Sequence, residues 1–159
     1  MVLLVKNDDP RLWLAVGLIA GIFLGYCLTR PIELPGASFQ FEWLRLGLVA
    51  LAGLLDEHCT FQSPVVFKPQ QGRAITTQYL AAAMQVLGNG SFVYQREWYA
   101  DGSAVLEFES TVEGVLVNGV DLITWNAANK ITDFKVMVRP LKGVNKLHEV
   151  MGRMLATMG

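Results

Sequence analysis

Asp121 is the residue of this chain best placed to do chemistry, because it is a carboxylic acid within an apolar run. Residues 120–125 read VDLITW, which has the character of a half-buried β-strand. A carboxyl group that points to an apolar side has a raised pKa, since burial disfavours its charged form. At neutral pH such a group is a hydrogen-bond donor or a general acid or base. The alternative is a structural role, in which Asp121 is satisfied by an arginine, by backbone N–H groups or at a widened sheet edge.

The direction of Asp121 follows from a predicted hairpin. Asn118–Gly119 is a dipeptide that strongly favours a two-residue turn, and with that turn Leu116 lies opposite Asp121. The face that holds Asp121 then also holds Leu106, Phe108, Val112, Leu116, Ile123 and Trp125. The opposite face holds Glu107, Glu109, Thr111 and Glu113. A single carboxylate is therefore predicted on the apolar face.

A neighbouring strand, 92–100, brings either Arg96 or Glu97 to the same face, because adjacent strand residues point to opposite sides. An inward Arg96 would pair with Asp121 and keep it ionised, whereas an inward Glu97 would lie beside Tyr99. Both alternatives stay open. A ligand pocket is predicted from Gln62, Ser63, Tyr79, Tyr94, Arg96, Phe108 and Trp125. The structural alternatives for these side chains are turn contacts and core packing.

Metal and disulfide chemistry find no support in the sequence. The only histidines, His58 and His148, are 90 positions apart, and the only cysteines are Cys27 and Cys59. None of the four has a neighbour at metal-ligand spacing. No metal site and no cofactor are therefore predicted.

The elements that position these residues follow from hydropathy and turn signals. Helices are predicted at 41–55, 74–87 and 141–158, and strands at 60–67, 92–100, 104–117, 120–125 and 131–139. The second helix should bury a stripe formed by Ile75, Tyr79, Leu80, Ala83, Met84 and Leu87. Helices followed by a meander of four antiparallel strands indicate an α+β fold.

The apolar excess of the chain lies near its start. Residues 12–29 carry no charge, a run just long enough to cross a thin bilayer as a helix. We expect 1–38 to be an apolar helical extension or a membrane anchor and 39–159 to be the folded domain, in a cytoplasmic protein that is free or anchored. The alternatives for 12–29 are a long buried helix and an extension from a misassigned start codon.

Composition excludes two classes of protein. The 159 residues include 13 Lys and Arg against 14 Asp and Glu, and 52% are apolar. Nucleic-acid binders need clustered basic residues, and disordered chains are poor in apolar ones. The chain instead suits about one domain with a sizeable core.

Three segments carry a family resemblance: FQSPVVFKPQQGRAITTQYL at 61–80, VLEFESTVEGVLVNGVDLITWNAANKITDFKVMVRPLK at 105–142, and NKLHEVMGRML at 145–155. Together they resemble the nuclear transport factor 2-like superfamily, in its SnoaL-like (polyketide cyclase-like) branch. The resemblance implies a cystatin-like cone, in which a curved antiparallel sheet wraps around helices and encloses an apolar cavity. It also implies a homodimer that forms through the sheet.

The catalytic residues of enzymes in this superfamily can be compared with the matching positions of this chain one by one. Asp121 matches the protonated carboxyl in the oxyanion hole of steroid isomerases. Their general base directly precedes the proline of the first strand, where this chain has Ser63, and serine alone cannot abstract a carbon-bound proton. Epoxide hydrolases of the superfamily need an aspartate at the position of Val136. The polyketide cyclases use an acidic pocket residue, a role that Asp121 fits.

We therefore expect a SnoaL-like domain that binds a small apolar ligand in the cone cavity and is not a catalyst of known type. The alternative is a cofactor-free isomerase, cyclase or hydratase that uses Asp121 as acid, base or oxyanion donor. The expected partners are the ligand and a second copy, with a membrane as a further candidate through 12–29 and no nucleic acid. The expected dimer surface is the outer sheet face, with Val115, Leu122 and Thr124 between glutamates.

Overall fold

The structure is a computed structural model that describes residues 49–158. It begins with helical residues 49–54, which continue directly into the first strand. The elements that follow are β1 (Leu55–Gln62), β2 (Gln70–Gln71), α1 (Arg73–Leu87), β3 (Val93–Ala100), β4 (Ser103–Val112), β5 (Val115–Trp125), β6 (Ile131–Arg139) and α2 (Leu141–Met158). The bounds of β6 and α2 agree with the predicted ones, because Pro140 cannot continue a strand ladder.

The apolar run at 12–29 and the domain boundary near residue 39 lie outside the described residues. Membrane anchorage and the division into extension and domain therefore stay predictions. Within residues 49–158, no helix combines the length and the apolar character needed to cross a bilayer.

Within residues 49–158, six strands form one curved, unclosed sheet in the order β2-β1-β6-β5-β4-β3. The strands β3 to β6 pair antiparallel with their sequence neighbours, which confirms the predicted meander. β1 runs parallel to β6, so the sheet is mixed rather than wholly antiparallel. Hairpins force antiparallel directions, whereas a long connection such as that from β1 to β6 allows a parallel pair. The predicted α+β class is confirmed.

The first strand lies earlier in the chain than predicted. β1 covers Leu55–Gln62 instead of 60–67, and the helix before it ends at residue 54. Pro64 lacks a backbone N–H and restricts the residue before it. These restrictions end the strand ahead of Ser63 rather than interrupting it.

The turn between β4 and β5 lies at Glu113–Gly114, five positions before the predicted turn at Asn118–Gly119. Both turn residues have positive φ, 46° for Glu113 and 78° for Gly114, as a two-residue hairpin requires. The Glu113 carboxylate contacts Arg153 and, at 3.4 Å, Lys146 Nζ. Helix α2 thus holds the turn in place.

The displaced turn leaves most of the predicted inner face unchanged. Asp121 pairs with Leu106 instead of Leu116, a shift of ten positions in its partner. Because strand side chains repeat every two residues, an even shift preserves the face. Phe108 and Val112 therefore stay buried on the same face. Leu116 now follows the turn and is 58% exposed on the outer face, so its predicted inward position is wrong.

Gly119 serves packing rather than a turn. It pairs with Phe108 inside the β4–β5 ladder, and an added Cβ would come within 2.7 Å of Phe108 Cε1. The tip of the aromatic ring therefore occupies the space that a side chain at Gly119 would need. The neighbouring Asn118 amide donates hydrogen bonds to the Phe108 carbonyl oxygen, at 3.2 Å, and to Glu107 Oε1, at 3.1 Å.

Helix α1 presents a different side to the core than its periodicity predicts. Its buried residues are Thr76, Leu80, Ala81, Ala82, Val86 and Leu87, which share only Leu80 and Leu87 with the predicted stripe. The small side chains of Ala81 and Ala82 let the helix approach the sheet closely. The larger Tyr79 and Met84 are only partly buried, at the side of the core.

Among the described residues, two apolar clusters fill the space between the sheet and the helices. The first is formed by Leu51, Leu55, Cys59, Phe61, Leu80, Ala104, Leu106, Ile123, Ile131 and Phe134. The second is formed by Ala82, Val86, Leu87, Phe108, Val112, Val117, Leu147 and Met151. Tyr94 and Val136 pack against both clusters, and they mark the boundary between them.

Replacement of Gly119 by alanine tests the packing of Phe108. We expect Gly119→Ala to lower the free energy of unfolding by about 1–3 kcal/mol, because the ring must move off its position. Urea denaturation measures the change. The matched control is Gly152→Ala in α2, where a Cβ meets no atom within 4 Å and should raise stability by about 0.5–1 kcal/mol. Equal stability of Gly119→Ala and the wild type would contradict this packing.

Candidate ligand-binding site

Asp121 lies on the inner face of the sheet, at the boundary between the two apolar clusters. It pairs with Leu106 on β4 and with Val136 on β6, and the residue is only 8% exposed. Burial raises the pKa of its carboxyl group from 3.8 to about 8, because a charged carboxylate loses its hydration there. At neutral pH Asp121 is therefore mostly a neutral carboxylic acid that can donate a hydrogen bond.

The Asp121 carboxyl group forms no hydrogen bond with any residue in the range 49–158. No arginine side chain in this range pairs with Asp121, although the sequence had left that possibility open. The oxygens of Asp121 keep some solvent contact, since Thr76 Oγ1 is the only fully buried side-chain polar atom without a partner among residues 49–158. A mostly buried carboxyl group with no partner in the fold is available to a ligand.

A β-bulge in β3 decides which of its side chains join Asp121. The pairing with β4 shifts between Tyr94 and Arg96, so one extra residue enters the strand there. After the bulge, Glu97 pairs with Leu106, a residue of the inner face. Tyr94 also lies on the inner face, since it pairs with Phe108.

Arg96 lies on the outer face, which corrects its predicted place in the pocket. Its guanidinium group forms an ion pair with Glu107 and lies 5.3 Å from the ring centre of Trp98. The bulge changes the alternation of β3 and turns Arg96 away from Asp121. Asp121 is therefore not held ionised by Arg96, and the alternative with Glu97 inward is the one found.

Tyr94 is electrostatically coupled to Asp121. The pKa of Tyr94 is raised well above its usual value, first by burial and then by the charge of Asp121 and that of Glu97. Its hydroxyl group is therefore a neutral donor, and it forms no hydrogen bond within the described residues. The ring packs edge-on against Phe92, at 5.0 Å between ring centres.

Glu97 and Tyr99 belong to the same inner face, and sequence reasoning did not select either for the pocket. The Tyr99 hydroxyl donates a hydrogen bond to Glu97 Oε2 at 2.7 Å. The pKa of Tyr99 is raised by burial, and further by this bond and by the charge of Glu97. Alternation places Glu97 and Tyr99 on one face, but it does not show that this is the face of Tyr94. The bulge between Tyr94 and Arg96, which arises from pairing with β4, puts all three on the inner face.

The other predicted pocket residues are divided between the core and the end of β1. Phe108 is only 1% exposed and stacks on Phe92 at 5.3 Å, so it is a core residue. Tyr79 and Trp125 are partly buried against the first cluster. Gln62 and Ser63, at the end of β1, have polar partners of their own.

Each of these two residues forms one hydrogen bond within the fold. Gln62 Nε2 donates to Asp133 Oδ1 at 2.9 Å, and Ser63 Oγ accepts the Val65 N–H at 3.3 Å. Among residues 49–158, no group of three His, Cys, Asp or Glu side chains is arranged to hold a metal ion. The chemistry of the site thus rests on hydrogen bonding by Asp121, Tyr94, Glu97 and Tyr99.

Known structures of similar sequence share this architecture. A steroid delta-isomerase from Pseudomonas aeruginosa is 34% identical over 80% of this chain and 96% of its own, with a TM-score of 0.67. An uncharacterised protein with a cystatin-like fold from Silicibacter pomeroyi DSS-3 is 33% identical over 69% of this chain and 77% of its own, with a TM-score of 0.65.

The same fold occurs at lower identity. An NTF2-like protein of unknown function from Mesorhizobium loti is 16% identical over 84% of this chain and 98% of its own, with a TM-score of 0.56. No protein-family profile and no curated protein sequence match the chain.

The burial of Asp121 predicts a stability that falls as pH rises. Its pKa is about 8 in the folded state against 3.8 for an exposed group, so the folded state binds the extra proton between these values. That stabilisation is complete below about pH 4 and is lost as pH rises through about 8. Relative to Asp121→Asn, the wild type should lose up to about 1.4 kcal/mol of unfolding free energy for each pH unit between the two pKa values.

Urea denaturation of both proteins across this pH window measures the difference. Comparison with Asp121→Asn cancels the contribution of Glu107 and Glu149, whose pKa values are lowered by their partners. A difference that does not depend on pH would show that Asp121 is ionised and solvated.

Proposed function

The chain belongs to the nuclear transport factor 2-like superfamily, and we propose that it binds a small apolar molecule through a carbonyl oxygen that accepts a hydrogen bond from Asp121. One observation carries this proposal: Asp121 is buried and neutral at pH 7, and it has no hydrogen-bond partner within the described residues. A carbonyl oxygen of a ligand supplies the missing acceptor. The apolar neighbours Leu106, Ile123 and Val136 favour an apolar ligand body.

Tyr94 is the second donor in this proposal. A carbonyl oxygen has two lone pairs and accepts two hydrogen bonds, and Tyr94 lies on the same inner face as Asp121 with an unpaired hydroxyl group. Burial of both groups strengthens these bonds, because little water competes for the oxygen. The pair thus favours ligands with a carbonyl group over those with a hydroxyl group at the same position.

Removal of the Asp121 donor tests the proposal. The probes are a steroid ketone, chosen because the similar Pseudomonas protein is a steroid delta-isomerase, and the alcohol obtained by reducing its carbonyl group. We expect the wild type to prefer the ketone, and Asp121→Leu to weaken ketone binding on the order of tenfold. Isothermal titration calorimetry measures both affinities, and Thr124→Leu, on the outer face of the same strand, is the control.

The pH dependence of binding gives a second signature. Ketone affinity should fall above about pH 8, where Asp121 loses the proton that it donates, and it should stay level for Asp121→Asn. Ketone binding that Asp121→Leu leaves unchanged would rule out the proposed contact.

Catalysis is the second candidate function, favoured by the 34% identity to a steroid delta-isomerase. It needs a base that moves a carbon-bound proton, and the position that the resemblance assigns to this base is Ser63. The Ser63 hydroxyl accepts the Val65 N–H, and no carboxylate bonds to it within the described residues. Ultraviolet absorbance during incubation with an unconjugated steroid enone distinguishes the candidates, since Asp121-dependent conjugation of the double bond would establish an isomerase.

We also propose that two copies associate through the outer face of the sheet. Among the described residues, that face exposes four large apolar side chains, each 48–60% exposed: Val93, Trp98, Leu116 and Met137. Of the residues predicted there, Leu122 and Thr124 lie on the outer face, whereas Val115 pairs with Val112 and belongs to the inner side. The apolar patch is larger than predicted because Leu116 joins it.

A charge placed within this patch should separate the copies. We expect light scattering to give twice the mass of one chain for the wild type, and the mass of one chain for Met137→Lys, because a desolvated lysine opposes association. Ala127→Lys, in the exposed loop after β5, is the control. A wild type that is monomeric at high concentration would contradict the dimer.

A further inference from the structure

We propose that one end of the sheet, formed by the 63–69 loop and the start of α2, is a membrane-contacting surface that inserts Phe67 and Leu141 among the anionic phospholipids of a bilayer. This inference goes beyond the ligand site at Asp121 and does not depend on it. It is also distinct from the predicted anchor at 12–29, because it involves only residues that the structure describes.

The strand register brings Phe67 and Leu141 to the same end of the sheet. The last residue of β1, Gln62, pairs with β6, and the chain returns antiparallel to β1 as β2. The 63–69 loop between β1 and β2, which holds Phe67, therefore projects past the end of β1. β6 runs parallel to β1 and finishes at this same end, where α2 begins at Leu141.

Both side chains are turned outward. Among the described residues, Phe67 and Leu141 are the two most exposed large apolar side chains, since Phe67 is fully exposed and Leu141 is 74% exposed. The loop itself is held to the fold, because Val65 packs against the second apolar cluster. Scattered apolar side chains are ordinary on a surface. Two fully projecting ones at the same end of the fold indicate contact with an apolar medium.

Basic side chains stand next to both apolar ones. Lys68 follows Phe67, and Lys142 follows Leu141. Neither lysine forms an ion pair within the described residues, although the chain as a whole has a net charge of -1. A lysine can extend its ammonium group to a lipid phosphate while an apolar neighbour inserts below it.

The other charges near the start of α2 do not cancel these two lysines. Glu113 and Glu149 are each already paired with Lys146 and Arg153. Arg139, exposed at the end of β6, forms no ion pair within the described residues and adds a further cation. The surface thus combines apolar tips with positive charge.

A groove beside Leu141 has room for a lipid headgroup. Its volume is about 420 Å³, and its lining residues are Val115, Leu141, Lys142, Asn145, Lys146 and Glu149. Val115 and Leu141 offer apolar contacts, whereas Lys142 and Asn145 offer hydrogen-bond donors to a phosphate. The Glu149 carboxylate alone would repel a phosphate, but its two cationic partners offset that charge.

A bilayer surface matches this combination of groups better than a folded acidic protein does. It presents anionic headgroups directly above hydrocarbon, so one layer supplies partners for the lysines and for the apolar tips. Phe67 and Leu141 stand on different elements, and a fluid surface accepts separate tips because it has no fixed shape. So few inserted groups give weak and reversible binding.

Lipid quenching of a fluorescent label tests this contact in the full chain. The label is attached near Phe67 with Pro69→Cys and at the opposite end of the sheet with Ala127→Cys, each combined with Cys27→Ser. The buried Cys59 escapes labelling. The probes are phosphatidylcholine vesicles that contain quencher-labelled lipid, with and without phosphatidylserine. We expect the vesicles with phosphatidylserine to quench the label at position 69 but not the label at position 127.

Variants of the surface should weaken that quenching. Phe67→Ser should raise the lipid concentration needed for half of the quenching on the order of tenfold. Lys68→Gln and Lys142→Gln should each raise it about fivefold. Val49→Ser, at an exposed apolar position ahead of β1, is the matched control and should leave it unchanged. Circular dichroism of each variant verifies its fold.

Three results would overturn the inference. The first is equal quenching at positions 69 and 127. The second is quenching at position 69 that does not depend on phosphatidylserine or on the two lysines, as expected of a chain held on vesicles by 12–29 alone. The third is tighter binding of soluble polyglutamate than of the anionic vesicles, which would assign the surface to an acidic protein.

Discussion

The close packing of Phe108 on Gly119 is the contact on which the arrangement of the inner face depends. A side chain larger than hydrogen at Gly119 would overlap the ring, so the two residues can face each other only in this register. Strand side chains repeat with a period of two, and one fixed pair therefore fixes all the others. Leu106 is brought opposite Asp121 in this way, and the carboxyl group is directed into the apolar side of the sheet.

Burial of that carboxyl group has consequences for both stability and chemistry. Asp121 lies where the two apolar clusters meet, near Tyr94 and Val136, which contact both. An aliphatic residue in its place would join the clusters into one core at lower free energy, since it would leave no polar group unpartnered. The fold retains a protonated acid instead, and the same burial that destabilises it makes it a donor at neutral pH.

Charge is distributed unequally over the two faces of the sheet. On the outer face, Arg96 pairs with Glu107, and on helix α2 Lys146 and Arg153 each pair with Glu113 and Glu149. On the inner face, Asp121 and Glu97 have no cationic partner within the described residues. Exposed ion pairs contribute little stability individually, and these pairs engage Arg96, Lys146 and Arg153 away from Asp121. The acidic and phenolic groups of the inner face are thus the ones that the proposed ligand would contact.

The sequence alone identified the α+β class, the bounds of β6 and α2, and the inward direction of Asp121. These follow from local chemistry: Pro140 ends a strand, and alternation of apolar residues defines a buried face whichever turn connects the strands. The position of the β4–β5 turn did not follow, because Asn118–Gly119 carries a turn signal that long-range packing of Phe108 overrides. The direction of Arg96 and Glu97 depended on a bulge that arises from pairing between strands. Local signals thus fixed which residues face the core, whereas contacts between distant residues decided which polar groups meet beside Asp121.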